Sequence, residues 1–166
     1  MALNTLITER FRSSFEQRCF KLIVKAYHST LKDKVVRLNW NENDISEELH
    51  QHIDVNPQRL KWKISTNVES RIPKNISKVK GFADKYARVD FRFSTFTSAS
   101  EYRYFLEAKN LKASSSQLKR RYIKTGVDSF VSGKYHNGSL LGYLLEGTPE
   151  EVVNGINSLL IKDDRK

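Results

Sequence analysis

Two carboxylates and an ammonium, Asp90, Glu107 and Lys109, lie on two strand-like runs joined by a polar link, an arrangement able to bind a divalent metal. In residues 89–93 (VDFRF) and 104–109 (YFLEAK), side chains alternate between faces with the strand period of two. Glu107 and Lys109 therefore project on the same side, about 7 Å apart along the strand. The link over residues 94–102 is rich in Ser and Thr, which suits a hairpin and predicts that Asp90 returns beside Glu107. Acids forced together in a half-buried sheet repel unless a cation sits between them, and hard oxygen ligands favour Mg²⁺ or Mn²⁺.

The spacing Asp90-x16-Glu107-x-Lys109 on a hairpin followed by a helix resembles the core of the PD-(D/E)XK nuclease superfamily. The likeness runs from Glu42 to Leu160, and Gln117 and Tyr122 on the following helix are similar to the Gln and Tyr that some branches carry there. Val89 stands where the superfamily's first motif has Pro. The resemblance implies an α/β fold with a restriction endonuclease-like αβββαβ core, a mixed sheet flanked by helices. It also implies one more carboxylate from the helix before the sheet. Over residues 41–53 (NENDISEELHQHI), Asn41 is a fitting N-cap, and Ile45, Leu49 and Ile53 form the buried stripe. Glu42 falls inside that arc and leads as the extra acid; Glu48, about 100° from its centre, is the second candidate.

The other elements must position this site. Residues 5–31 place Phe11, Phe15, Cys19, Leu22, Ile23, Tyr27 and Leu31 at intervals of three or four, an amphipathic helix packed on the core, with a docking or dimerisation role as the alternative. An extended piece is expected at residues 35–40 and a strand at 60–65 (LKWKIS). Residues 66–85 read as a long loop or short strand pair carrying Arg71, Lys74, Lys78, Lys80 and Lys85. Residues 113–116 cap a helix over 117–125, on which Gln117 and Arg121 share one face and Arg120 and Lys124 an adjacent one, with Leu118 and Tyr122 inward. Residues 140–145 predict a buried strand and 149–160 a terminal helix behind a Thr-Pro-Glu-Glu cap. The expected organisation is one domain over residues 1–166, with a helical addition at 1–34 and the core at 41–160.

Charge agrees with a polyanionic partner. The net charge is +10 and the pI about 9.7. Residues 59–135 hold eighteen Lys and Arg against six Asp and Glu, so the basic excess surrounds the acids. The single Cys19 cannot form an internal disulfide, no apolar run approaches membrane length, and the N-terminus is charged; these features predict a cytoplasmic protein with no membrane partner. Neither a phosphate-binding Gly-rich loop, paired zinc ligands nor a nucleophile elbow is present, and His136 is isolated in a loop.

The resulting expectation is a Mg²⁺-dependent phosphodiester hydrolase acting on nucleic acid, DNA in preference to RNA. Asp90, Glu107, the Ala108 carbonyl and Glu42 would hold the metal, and Lys109 would orient the attacking water. Gln117, Arg120, Arg121 and Lys124 would contact the substrate. Two alternatives stay open: a binding or complex-forming subunit on the same fold, and a basic scaffold in which the three residues form an ordinary ion-pair network. Small size points to a homodimer or a partner specificity subunit, and the resemblance permits a role in bacterial restriction or defence.

Overall fold

The hairpin is the centre of the structure because most of its large apolar residues fall on one face. In the computed structural model, which describes residues 2–72, 80, 84, 86–97 and 100–165, β1 (Ser65–Ile72), β2 (Ala87–Phe96), β3 (Glu101–Lys112) and β4 (Gly138–Glu146) form one sheet in that order. β1–β2 and β2–β3 are antiparallel and β3–β4 is parallel, so the sheet is mixed. Phe91 pairs with Leu106 and Phe93 with Tyr104, which puts Val89, Phe91, Phe93, Tyr104, Leu106 and Ala108 together on the buried face. Burying each large side chain of this set contributes about 1.5–3 kcal/mol. Asp90, Arg92, Phe105 and Glu107 are thereby turned to the opposite face.

Helices cover the sheet. α1 (Ala2–Asp33) and α2 (Glu42–Asp54) supply Phe15, Cys19, Leu22, Ile23, Ala26, Ile45, Leu49 and Ile53 to the core beneath Phe91, Phe93 and Leu106. α2 starts where Asn41 accepts a hydrogen bond from the Asp44 amide. The single-stripe reading of α1 needs correction: Tyr27 and Leu31 are exposed, along with Phe20 and Val24. At about 100° per residue the buried set spans one arc and Phe20, Val24, Tyr27 and Leu31 a neighbouring one, so a spacing of three or four merges two stripes. Among the described residues, no helix is long and apolar enough to cross a membrane.

The stretch expected to be a strand at 60–65 is instead the short helix α3 (Pro57–Lys61) and a turn. Asn56 caps α3, Pro57 opens it, and Lys63 takes a left-handed φ of 54°, which breaks the alternation. The strand begins at Ser65 and is β1, an edge strand with alternate residues exposed. Its polar sequence, STNVESRI, leaves a loop and a short strand pair both open, because edges favour charge over a continuous apolar run; the structure makes residues 65–72 a strand. Residues 35–40 are turn and coil. Lys74, Lys78 and Lys85 lie outside the described residues.

After β3, Ser115 accepts from the Leu118 amide and opens α4 (Ser116–Arg121), followed by a π-helical turn (Tyr122–Val127) and α5 (Asp128–Val131). The helical path thus runs on through residues 127–131. Lys119, Ile123, Gly126 and Ser129 are the buried residues of this stretch, while Leu118 and Tyr122 are half-buried. The Lys119 ammonium donates to the Ala113 carbonyl at 2.6 Å, which lets a lysine be buried. β4 returns parallel to β3 from Gly138, where a Cβ would come within 2.1 Å of the Phe105 carbonyl oxygen; only Gly allows that approach. α6 (Pro149–Lys162) begins in a Thr148–Glu151 capping box and packs on α4.

Candidate functional site

Asp90 and Glu107 reach one another because the β2–β3 register, continued one residue beyond the Phe91–Leu106 pair, sets them opposite. Asp90 Oδ2 accepts a hydrogen bond from the Ala108 amide at 2.5 Å. The β1–β2 ladder skips this point: Val68 pairs with Phe91 and Ser70 with Val89, while Glu69 between them takes a left-handed φ of 49°.

Lys109 turns the strand pair into a cluster. Its Nζ donates to Glu107 Oε1 and to the Ala108 carbonyl, each at 2.7 Å, and lies 3.8 Å from Glu42 Oε2. Glu42 sits in the first turn of α2, its Oε1 accepting from the Asn110 amide at 2.8 Å and its Oε2 from Arg121 at 2.8 Å. Glu107 Oε2 accepts from the Tyr135 hydroxyl at 2.9 Å; the same hydroxyl lies 2.9 Å from the Arg88 carbonyl, and its one proton serves one acceptor at a time. Asp90, Glu107, Lys109 and Glu42 are all buried, between 5% and 9% exposed.

Three carboxylates face two cations, Lys109 and Arg121, so the cluster carries one negative charge more than it neutralises. Burial pushes the Asp90 carboxyl up to about 6. The Ala108 amide opposes that rise, Glu107 and Glu42 add to it, and Lys109 offsets part of it. Burial and the neighbouring Glu107 likewise hold the Tyr135 phenol in its neutral, donating form.

The remaining expected residues part company. Arg121 joins the cluster, but Arg120 turns to α6 and grips both oxygens of Asp163 at 3.1 and 2.9 Å. Both bonds come from Nη1, and the pair ties α4 to the end of the terminal helix. Gln117 and Lys124 are exposed on the outer side of the helical segment. Glu48, the second candidate acid, pairs with His52 one turn along α2, at 3.4 Å. Tyr135 had no local signal in the sequence, since it lies in a polar loop and meets Glu107 only through tertiary packing.

The oxygens of Asp90, Glu107, Glu42 and Ala108 are hard donors suited to Mg²⁺ or Mn²⁺, and the excess negative charge fits a cation. Among the described residues, however, no group of three or more His, Cys, Asp or Glu side chains is gathered at metal-holding spacing. The Lys109 ammonium occupies the space between Glu107 and Glu42. A metal would therefore require the lysine to swing aside.

No family model matches the chain, and no curated protein or solved structure does either.

Proposed function

We propose that this chain is a Mg²⁺- or Mn²⁺-dependent phosphodiester hydrolase of the PD-(D/E)XK kind, acting on nucleic acid, with DNA preferred to RNA. The observation that carries the reading is the convergence on Lys109 Nζ of Glu107 and the Ala108 carbonyl at 2.7 Å and Glu42 at 3.8 Å, with Asp90 bonded to the Ala108 amide. With the short α3 set aside and α4 to α5 counted as one helical path, the order α2, β1, β2, β3, α4, β4 is that of the αβββαβ core, with α1 as the addition, and this supports the reading.

Asp90, Glu107, Glu42 and the Ala108 carbonyl would hold the metal. When bound, the cation supplies Lewis-acid stabilisation of the phosphoryl oxygen and a bound water of lowered pKa. Lys109, released from Glu107, donates a hydrogen bond toward the attacking water and the developing charge on phosphorus. Tyr135 holds Glu107 Oε2 so that Oε1 stays directed at the cluster. Arg121 offsets the Glu42 charge that would otherwise repel phosphate. The exposed Phe20, Val24, Tyr27 and Leu31 stripe supports a second copy or a specificity subunit as partner.

One observation favours a second reading, a nucleic-acid-binding subunit without catalysis: Lys109, Arg121 and Tyr135 already satisfy the acids without a metal. Cleavage of plasmid and single-stranded DNA in Mg²⁺, Mn²⁺ and EDTA separates the two. The hydrolase reading expects metal-dependent cleavage that Asp90→Ala and Glu107→Ala each abolish. Cleavage unchanged in Asp90→Ala, or DNA binding with no cleavage by the wild type in either metal, overturns it.

A further inference from the structure

A groove opens on the same face of β3 as the acidic cluster. It has a volume of about 870 Å³, in the range of small-ligand sites, and Glu101, Arg103, Phe105, Lys134, His136 and Asn137 line it. Residues 101, 103, 105 and 107 alternate onto one side of the strand, so Phe105 and Arg103 follow Glu107 at about 7 and 14 Å. The far wall is the loop that carries Tyr135. That ring joins the two places: it lies 6.0 Å from Phe105 and 5.1 Å from Phe130, and its hydroxyl reaches Glu107.

The chemistry of the walls is that of a stacking platform with cations. Phe105 and the exposed His136 offer flat rings, and Lys134 sits over the Tyr135 ring at 4.7 Å. Arg103 is held by Glu101, which costs the groove one positive charge but fixes the guanidinium; Arg92 adds its field to the same carboxylate. A base pair in a duplex presents neither face of its bases to such a wall, whereas an unpaired nucleotide presents both. Its phosphate would meet Arg103 and Lys134, and the Asn137 amide, already donating to the Arg103 carbonyl, borders the floor.

Building on the hydrolase reading, we propose that the groove seats an unpaired nucleotide of the bound strand beside the scissile phosphate, with its base on Phe105 and its phosphate on Arg103 and Lys134. The preferred substrate is therefore single-stranded nucleic acid or a frayed or flapped end, rather than continuous duplex. Stacking and phosphate contacts set this preference, so it does not depend on metal.

The test is fluorescence anisotropy in EDTA with the full chain, using a labelled 12-nucleotide single-stranded DNA and the same sequence as a duplex. The wild type is expected to bind the single strand at least about tenfold more tightly. Phe105→Leu, which keeps apolar volume and removes the ring, is expected to weaken single-strand binding about 5- to 100-fold, the loss of one stacked base. Because Phe105 is half-buried, a second variant, Lys134→Ala with His136→Ala, changes only the groove wall and is expected to lose affinity for the single strand and little for the duplex. Duplex binding equal to or tighter than single-strand binding, or both variants at wild-type affinity, overturns the proposal. If the hydrolase reading alone fails, cleavage is absent while the single-strand preference and its loss in the variants remain. If the groove alone fails, metal-dependent cleavage persists without that preference.

Discussion

β3 carries two acid–base pairs of identical spacing on one face, Glu101-x-Arg103 and Glu107-x-Lys109, and only one of them is part of a cluster. In the first, both side chains are open to water, 22% and 51% exposed, and the pair closes on itself. In the second they are 10% and 6% exposed and meet Glu42 of α2, Asp90 of β2 and Tyr135 of the loop before β4. Spacing along a strand therefore sets only which side chains share a face. Chemistry at the second pair comes from what the neighbouring elements bring over it: the N-terminus of α2 at one end of β3 and the Tyr135 loop beside it. Desolvation then makes each charge at this end matter, while water screens the pair at the other.

The largest contrast is expected when each pair loses its cation. Lys109→Met leaves Glu107 and Glu42 buried with less compensation and is expected to lower stability by about 3–5 kcal/mol, whereas Arg103→Gln costs about 1 kcal/mol or less. Urea denaturation of both variants measures this. Millimolar Mg²⁺ should restore part of the Lys109→Met loss by taking the vacated position, and none of the Arg103→Gln loss. Equal costs for the two variants would erase the distinction between the pairs.

A smaller effect, opposite in sign, is expected at Asp90. Its carboxyl is raised from 3.8 to about 6 in the folded chain, so between these values the folded state binds more protons than the unfolded one. Stability from this group is highest at low pH and falls as pH rises toward and through 6. Asp90→Asn keeps an acceptor for the Ala108 amide and removes the charge. It is expected to be more stable than the wild type by about 2–3 kcal/mol at pH 8 without metal, with the gap closing toward pH 4. Thermal melts across that range check it; a gap independent of pH would mean that the carboxylate is not under strain from burial.

The smallest of the three concerns the tether between loop and strand. Tyr135→Phe removes the donor to Glu107 Oε2 and is expected to cost about 1.5 kcal/mol by denaturant titration. The same change in a Glu107→Gln background should cost less, because the bond is then to a neutral acceptor. Equal costs in both backgrounds would assign the loss to the Arg88 carbonyl instead.

What the sequence determined by itself is what short-range physics governs. The period of two in residues 89–93 and 104–109 placed Asp90 and Glu107 on one face of a hairpin, and the caps at Asn41 and Thr148 and the Ser run within residues 113–116 marked three helix starts. A mixed sheet with flanking helices and the long N-terminal helix were legible at the same level. β1 was legible only as one of two options, loop or short strand pair, since an edge strand of alternating polar residues has no apolar signature, and α3 hid behind an alternation that Lys63 breaks. Only the tertiary structure decided that Arg121 meets Glu42 across 79 residues of chain, that Arg120 meets Asp163 across 43, and that Tyr135 meets Glu107 across 28. Arg120 and Arg121 are adjacent and chemically alike, and helical rotation of about 100° sends one to α6 and the other into the cluster. Side-chain partners at such separations follow from how elements dock, and docking is set by burial of the whole core rather than by any local run of residues.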